Sequence, residues 1–330
     1  MQQPNLTSLE SHILREERRY PDASGDFTWI MSAIVLATKA IANHVHRSRI
    51  DNAVGAAGGS NVHGEAQQKL DVIANEILTR CLGDQASVAV VASEENEEPM
   101  ILRTGAEGGK YCILFDPLDG SSNLGVSVGV GTIFSVIRND PSVTDVYETI
   151  LRPGAEQVAA GYVVFGSSTV FVVTTGNGVN MYELDRSLGA FVLVAAHVRI
   201  PDAARIYSVN EAYSASFDDG YRAYLNWAHD HGYSSRYIGS MVADVHRTLL
   251  KGGVFLYPPT AAHREGKLRL MYEANPMAMI MEQAGGKAYA NDRRILDIPP
   301  VALHERCPVV MGSPAEVDHV MRFVCPNGMS

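Results

Sequence analysis

The chain is expected to be α/β, with an α+β N-terminal half, folded as two domains of layered sheets and helices. Three observations predict this. Its 330 residues are too many for most single cores. Between Val88 and Val194, short apolar runs punctuated by glycine read as a meandering, largely antiparallel sheet. Beyond Ile200-Pro201, strand-length apolar runs alternate with helical periodicity, as in an α/β layer. The boundary falls near 196–204, giving domains 1–199 and 200–330.

Asp26–Val45 is predicted as a helix, because Phe27, Ile30, Met31, Ile34, Ile41 and Val45 follow helical spacing and Ser24 stands as N-cap. Gly55–Ser60 reads as a loop. Glu65–Leu82 reads as a second helix, with Ala66, Leu70, Ile73, Ile77 and Cys81 on one face and Gly83 stopping it. Val88–Ala92 and Tyr111–Phe115 are buried strands that run straight into acids. Thr132–Ile137, Tyr162–Phe165, Val170–Val173 and Phe191–Val194 continue the sheet. In the second half Tyr221–Ala228 and Ser240–Lys251 read as helices, and Val254–Tyr257 and Leu268–Tyr272 as strands. Pro276–Glu282 is a helix with Asn275 as N-cap and Pro276 at N1, ended by Gly285-Gly286. Strand Val309–Gly312 and helix Ala315–Phe323 close the chain.

Charge narrows the function. A net charge of -10 argues against nucleic acid, which needs a basic footprint. Cys81, Cys112, Cys307 and Cys325 form no CxxC pair, so neither zinc nor redox chemistry is signalled. Met1–Tyr20 is polar and lacks the apolar core of a signal peptide. No run approaches the roughly eighteen apolar residues of a membrane helix. A reducing cytoplasm is therefore the expected location.

The strongest motif is Asp116-Pro-Leu-Asp-Gly-Ser-Ser-Asn123, directly after an apolar strand. Proline and glycine bend the chain, so both carboxylates and the Leu118 carbonyl can aim at one point. Hard cations such as Mg²⁺ take oxygen ligands of this kind. Gly120, Ser121 and Ser122 then offer N–H groups and hydroxyls to a phosphate. By itself the motif also describes an Asx-type turn. Ser93-Glu94-Glu95 likewise follows an apolar run, and adjacent like charges there are costly unless solvated or met by a cation. Asn61-Val-His-Gly-Glu65 leads to Asp71 on the polar side of its helix; taken singly, these residues read as surface. Lys267, Arg269, Met271 and Glu273 alternate along the strand expected at Leu268–Tyr272, on one face, where two cations could hold a phosphate beside a metal.

Taken together these residues resemble class I fructose-1,6-bisphosphatases of the bacterial and plant-cytosolic kind. NVHGEAQQKLD, SEE, DPLDGSSN, GTIF, SVNEAY, RYIGSMVADVHRT, GKLRLMYEANPMA and LDIPP occur in order from about Gly25 to Gly312. DPLDGSS alone would fit the wider inositol-monophosphatase-like group, whereas Asn210 to Ala278 separates the two. The resemblance implies a two-domain sugar-phosphatase fold and hydrolysis of the 1-phosphate of fructose 1,6-bisphosphate. It implies divalent ions, Mg²⁺ with Mn²⁺ or Zn²⁺ as alternatives, on Glu94, Asp116, Leu118, Asp119 and Glu273, with Glu65 at the edge. Asp71 and Glu95 would hold and deprotonate the attacking water, and Gly120, Ser121 and Ser122 would hold the 1-phosphate. Asn210, Tyr213, Tyr237 and Tyr257 match the 6-phosphate site, and Lys267 the residue reaching sugar and phosphate. Arg236 matches an arginine donated across a subunit interface, which implies an oligomer, usually a tetramer. Ser24, Gly25, Thr28, Lys110, Tyr111 and Arg138 match an inhibitory AMP site. Ala212, Leu124-Gly125 and Ser24 depart from the common Gly, Ile-Asp and Thr, and Glu65 stands where some members have Asp. Sedoheptulose 1,7-bisphosphate remains an alternative substrate, and a catalytically idle sugar-phosphate-binding regulator an alternative role.

Overall fold

The computed structural model describes residues 6–18, 24–60, 66–104 and 108–326. Helices α1 (Leu9–Glu17) and α2 (Asp26–Arg47) come first. They are followed by a small antiparallel pair, β1 (Ala56–Ser60) with β2 (Ala66–Gln68), and by α3 (Lys69–Gly83). The chain then runs through β3 (Val88–Ser93), β4 (Met100–Ile101), β5 (Tyr111–Asp119), β6 (Val130–Arg138), a short helix α4 (Val146–Ile150), β7 (Gln157–Phe165), β8 (Thr169–Thr174), β9 (Val179–Asp185) and β10 (Ala190–Val198). These strands form one sheet in the order β10-β9-β8-β7-β6-β5-β3-β4. Every pairing in it is antiparallel except β3 with β5.

The second half supplies β11 (Ile206–Ser208), α5 (Asp219–Asp230), β12 (Ser234–Ser235), α6 (Met241–Lys251), β13 (Val254–Tyr257), β14 (Leu268–Arg269) and α7 (Asn275–Gln283). It ends with β15 (Lys287–Ala290), β16 (Arg293–Arg294), β17 (Arg306–Cys307), β18 (Val309–Gly312) and α8 (Pro314–Val324). Six of its strands form a mixed sheet in the order β12-β11-β13-β18-β15-β16.

Alternation of side chains along the strands makes five layers. One face of the large sheet (Phe115, Phe134, Phe171) packs on Ile30 and Ile34 of α2 and Leu70 and Leu78 of α3. Its other face (Ile133, Tyr162, Val172) packs on α6 and α7, and so does one face of the small sheet through Phe255 and Met311. The outer face of the small sheet (Val254, Leu256, Val310) is covered by α5 and α8. Each large apolar side chain so buried contributes about 1.5–3 kcal/mol. Glycine is needed where one strand's ring lies over its neighbour: Gly161 faces Phe134 across the β6–β7 ladder, and a Cβ there would lie 2.4 Å from the Phe134 ring.

Several expectations change. Gly55–Ser60 was expected as a loop, but Ala56–Ser60 is a strand, and Ala66–Gln68 pairs with it, so α3 starts at Lys69 rather than Glu65. Glu65 itself lies outside the described residues. The N-cap of α2 is Gly25, at φ 80°, and the Ser24 hydroxyl donates instead to Asp26 Oδ2 at 2.5 Å. The strand expected at Leu268–Tyr272 stops at Arg269. The Glu273 carboxylate accepts the Arg269 backbone N–H at 2.6 Å, and a wide π turn, Leu270–Ala274, runs on into α7. Ala274, not Asn275, is therefore the N-cap of α7. Met271 is packed in an apolar cluster with Ala89 and Leu114, so it shares no face with Arg269 and Glu273.

Candidate active site

β3 and β5 are parallel neighbours, so their C-terminal ends, and the acids that follow β3 and close β5, open on the same edge. Glu94 N donates to Phe115 O at 3.0 Å, which ties the acidic loop after β3 to the end of β5. Asp116 accepts from Leu118 N at 2.9 Å, and Thr132 donates to Pro117 O at 2.9 Å, so the turn is held from both sides. Asp119 points at the start of α6, where its Oδ2 accepts from the Ser240 hydroxyl at 2.7 Å and from Val242 N at 2.9 Å. Gly120 stands at φ 73°, and a Cβ there would lie 2.6 Å from Ser240 Cβ, so this close approach requires glycine.

From the other half, the π turn brings in Glu273. One carboxylate oxygen from each of Asp116, Asp119 and Glu273 lies within 4.8 Å of the other two, and all three residues are buried. Arg269 Nη1 meets Glu94 Oε1 at 2.9 Å. The cation expected to hold phosphate is thus paired with an acid. On α3, Asp71 accepts from Gln68 N at 2.8 Å and from the Ser121 hydroxyl at 3.2 Å. Its Oδ1 is buried without a hydrogen-bond partner among the described residues. Asp71 is only 5% exposed, so its surface reading from sequence fails: the turn after β5 folds over it.

Burial raises the carboxyls of Asp116 and Glu273 well above their ordinary range, and the neighbouring acids, Glu94 foremost, push the same way. Burial likewise raises Glu94, against the pull of Arg269, and Asp119, against its bonds to α6. Asp71 is pushed up to about 6, mainly by burial and further by the charge of Glu95. Several carboxylates that resist ionisation together are a donor set waiting for a counter-charge. Its all-oxygen character suits a hard divalent cation.

These residues line a cleft of about 640 Å³. Asp71, Glu94, Glu95, Asp116, Leu118, Asp119, Gly120, Ser121, Ser122, Tyr237, Tyr257, Lys267 and Glu273 all border it. Asn210, Tyr213 and Arg236 do not. Asn210 hydrogen-bonds Tyr237 next to the cleft, while its Oδ1 accepts from Ala212 N at 3.2 Å. Tyr213 is 57% exposed. Arg236 is exposed and donates to Ser235 O at 2.7 Å. His263, Asp244 and Arg306 border the cleft without having been expected there. For Asp244 the signal was its place in the first turn of α6. It accepts from Ile238 N and Gly239 N, both at 2.9 Å, and so holds the loop after Tyr237.

A second cavity, of about 650 Å³, lies beside α1 and the start of α2. Ser24, Lys110, Tyr111 and Arg138 line it with the apolar Ile13, Phe27, Val158 and Val173. Lys110 Nζ is bonded to Asp26 Oδ2 at 2.5 Å and Ser24 Oγ at 2.9 Å, and the Arg138 guanidinium lies 5.6 Å from the Tyr111 ring centre. Thr28 and Gly25 do not line it; the Thr28 hydroxyl donates to Glu17.

Two family models match end to end: the fructose-1-6-bisphosphatase N-terminal domain over residues 7–196 and the C-terminal domain over residues 200–325. The chain belongs to the fructose-1,6-bisphosphatase family. The class 1 fructose-1,6-bisphosphatase of Chloroherpeton thalassium is 47% identical over 97% of this chain and 93% of its own length. That of Chlorobium luteolum is 47% identical over 96% and 98%. Among solved structures, Leishmania major fructose-1,6-bisphosphatase in holo form superposes with a TM-score of 0.92 at 42% identity, covering 97% of this chain and 99% of that one. The same protein in its T-state gives 0.87 at 42% identity, with 97% and 99% covered. Against the family pattern, the Leu124-Gly125 departure leaves Leu124 buried in the first core and Gly125 O accepting from Arg49.

Proposed function

We propose that this chain is a metal-dependent hydrolase that cleaves the 1-phosphate of fructose 1,6-bisphosphate, yielding fructose 6-phosphate and phosphate. The observation that supports it most is the buried Asp116, Asp119 and Glu273 set, on the wall of a cleft that also carries Lys267, Tyr237 and Tyr257. Divalent ions held there, Mg²⁺ in this reading, supply charge neutralisation and a readily deprotonated water. Glu94 and the Leu118 carbonyl complete the ligand set, with Glu65 at its edge. Asp71 and Glu95 orient the attacking water and take its proton; a carboxyl raised to about 6 suits a base near neutral pH. Gly120, Ser121 and Ser122 hold the reacting phosphate through N–H and hydroxyl groups. Positioning of this kind supplies most of the catalysis in phosphoryl transfer.

Asn210, Tyr213, Tyr237, Tyr257 and Lys267 are assigned to the distal phosphate and sugar, together with Arg236 from a neighbouring copy. The outward placement of Arg236 and Tyr213 fits a site completed by oligomerisation, which we take to be a tetramer. The second cavity is assigned to AMP, whose phosphate suits Lys110 and Arg138 and whose base suits the apolar wall. Domains 1–199 and 200–330 are assigned to metal and AMP binding and to sugar-phosphate binding respectively. A cytoplasmic location accords with four unpaired cysteines, and among the described residues no helix is long and apolar enough to cross a membrane.

The deciding experiment is phosphate release from fructose 1,6-bisphosphate, sedoheptulose 1,7-bisphosphate and an inositol phosphate, with chelator and with Mg²⁺ added back. Release from the six-carbon bisphosphate should vanish in chelator and return with Mg²⁺. Full activity of metal-free enzyme contradicts the proposal.

A further inference from the structure

Glu95 stands with Glu94 on an irregular segment, between the end of β3 at Ser93 and the start of β4 at Met100, whereas the other acids of the site stand on β5, α3 and the π turn. That segment carries Glu94, Glu95, Glu97 and Glu98, whose mutual repulsion favours spreading it into solvent. Glu94 is held against this by Phe115 O and Arg269, and Glu95 N by Ser93 Oγ at 3.3 Å; beyond them, three contacts meet at Asn96. Its own N–H donates to Ser93 O at 3.2 Å and closes the turn. Its Oδ1 accepts from Asn75 Nδ2 at 3.0 Å. Its carbonyl lies 3.0 Å from the ring Nε2 of His304, which serves as the donor there.

The partners matter as much as the bonds. Asn75 stands four residues after Asp71 on α3, so the two share a helix face. His304 packs against Tyr272 of the π turn, with ring centres 5.4 Å apart. Its neighbour Glu305 accepts from Leu270 N at 2.8 Å, at the base of the turn that carries Glu273. A single amide residue therefore ties the loop bearing Glu95 to the helix bearing Asp71 and to the segment bearing Glu273.

We infer that Asn96, gripped by Asn75 and His304, is a positioning residue for hydrolysis: it sets the reach between Glu95 and Asp71. The inference rests on the proposed role of those two acids at the attacking water. An error in placing a group that acts on the reacting atoms falls on turnover, whereas substrate binding is made elsewhere in the cleft.

The test is a double-mutant cycle on Asn75 and Asn96, read in kcat and KM for fructose 1,6-bisphosphate at saturating Mg²⁺. Asn96→Ala and Asn75→Ala should each lower kcat about 10- to 100-fold, the scale of an ångström-sized misplacement, with KM changing less than about 2-fold. Because both remove the same bond, the double variant should lose no more than the worse single variant. Circular dichroism melts show whether each variant is folded at the assay temperature, and the two singles guard against one that is not. Wild-type kcat in both singles, additive losses, or KM rising in step with falling kcat would overturn the positioning role. A wild-type enzyme that releases no phosphate would instead overturn the reading of the site.

Discussion

The substitution Asp116→Asn should make the metal-free protein more stable while abolishing its use of metal. Two unit charges 4.8 Å apart repel by ~3.5 kcal/mol at an effective dielectric constant of 20. Asp116, Asp119 and Glu273 make three such pairs, and Asp116 belongs to two, so full ionisation would cost at least ~7 kcal/mol through this residue alone. The molecule has a cheaper option, which is to keep a proton. Holding one ordinary carboxyl protonated at pH 7 costs ~4 kcal/mol, which caps the relief that Asn can bring. A gain of ~1.5–4 kcal/mol follows. For 330 residues unfolding with about 2.1 cal/mol/K each, this is a rise in Tm of roughly 2–6 °C. The sign with pH is set by raised carboxyls: their contribution to stability is complete below the unfolded-state values near 4 and is lost as pH rises through the folded-state ones. The gain should therefore disappear at about pH 4 and grow as pH rises from there towards the raised folded-state values. The assay is thermal unfolding of both proteins in chelator at pH 4 and 7.5, then with Mg²⁺ at pH 7.5. Mg²⁺ should raise the wild type past the variant. A chelated variant that melts below the chelated wild type at pH 7.5, or a wild type indifferent to Mg²⁺, would refute the argument.

Three further outcomes are expected. Glu95→Gln should bind Mg²⁺ as the wild type does, by calorimetry, yet turn over about 10²–10⁴-fold more slowly, because a base is lost and a ligand is not; unchanged turnover contradicts its role. Arg236→Ala should raise KM for fructose 1,6-bisphosphate far more than it lowers kcat, and the wild type should lose activity on dilution to monomer; a fully active monomer counts against a donated arginine. AMP should inhibit the wild type without simple competition, and Lys110→Ala and Arg138→Ala should respond weakly; inhibition that is purely competitive in the wild type removes the regulatory assignment.

What could be read in the sequence was local and covalently adjacent. Asp116-Pro-Leu-Asp-Gly is one turn at one strand end, so its geometry follows from its own residues, and the glycine-punctuated meander from Val130 to Val198 follows from alternation. What could not be read was set by distant partners. Lys267 to Glu273 alternates as a strand would, but the Glu273 carboxylate captures the Arg269 N–H and winds the segment into a π turn. Asp71 reads as a surface acid until Ser121, fifty residues away, closes over it. Helix α1 buries only Leu9 and Ile13, too few to show a periodic stripe, and β9 alternates so weakly that it was not expected. Asn210, Tyr213 and Arg236 do not border the cleft in the single chain, and Arg236, which points outward, is the one proposed to serve a neighbouring copy.

The placement of the two cavities gives the regulatory proposal its physical content. β5 begins at Tyr111, which lines the second cavity, and reaches Asp116 five residues on, ~17 Å away at strand rise. β6 pairs with it so that Arg138 faces Tyr111 at one end and Ile133 faces Asp116 at the other. A ligand holding Lys110, Tyr111 and Arg138 therefore grips one end of the hairpin whose other end carries the acids. Helix α2 makes a parallel link. Its N-terminus borders the second cavity, and just past its C-terminus Arg49 donates to Gly125 O in the turn after Ser121 and Ser122. A two-stranded ladder and a helix of 22 residues are both stiff along their lengths, so they transmit tilt or slide better than local bending. Coupling still requires that the ligand prefer one of two arrangements of these elements. The five-layer packing supplies surfaces on which such a slide can occur, because α2 and α3 rest on the large sheet through apolar side chains.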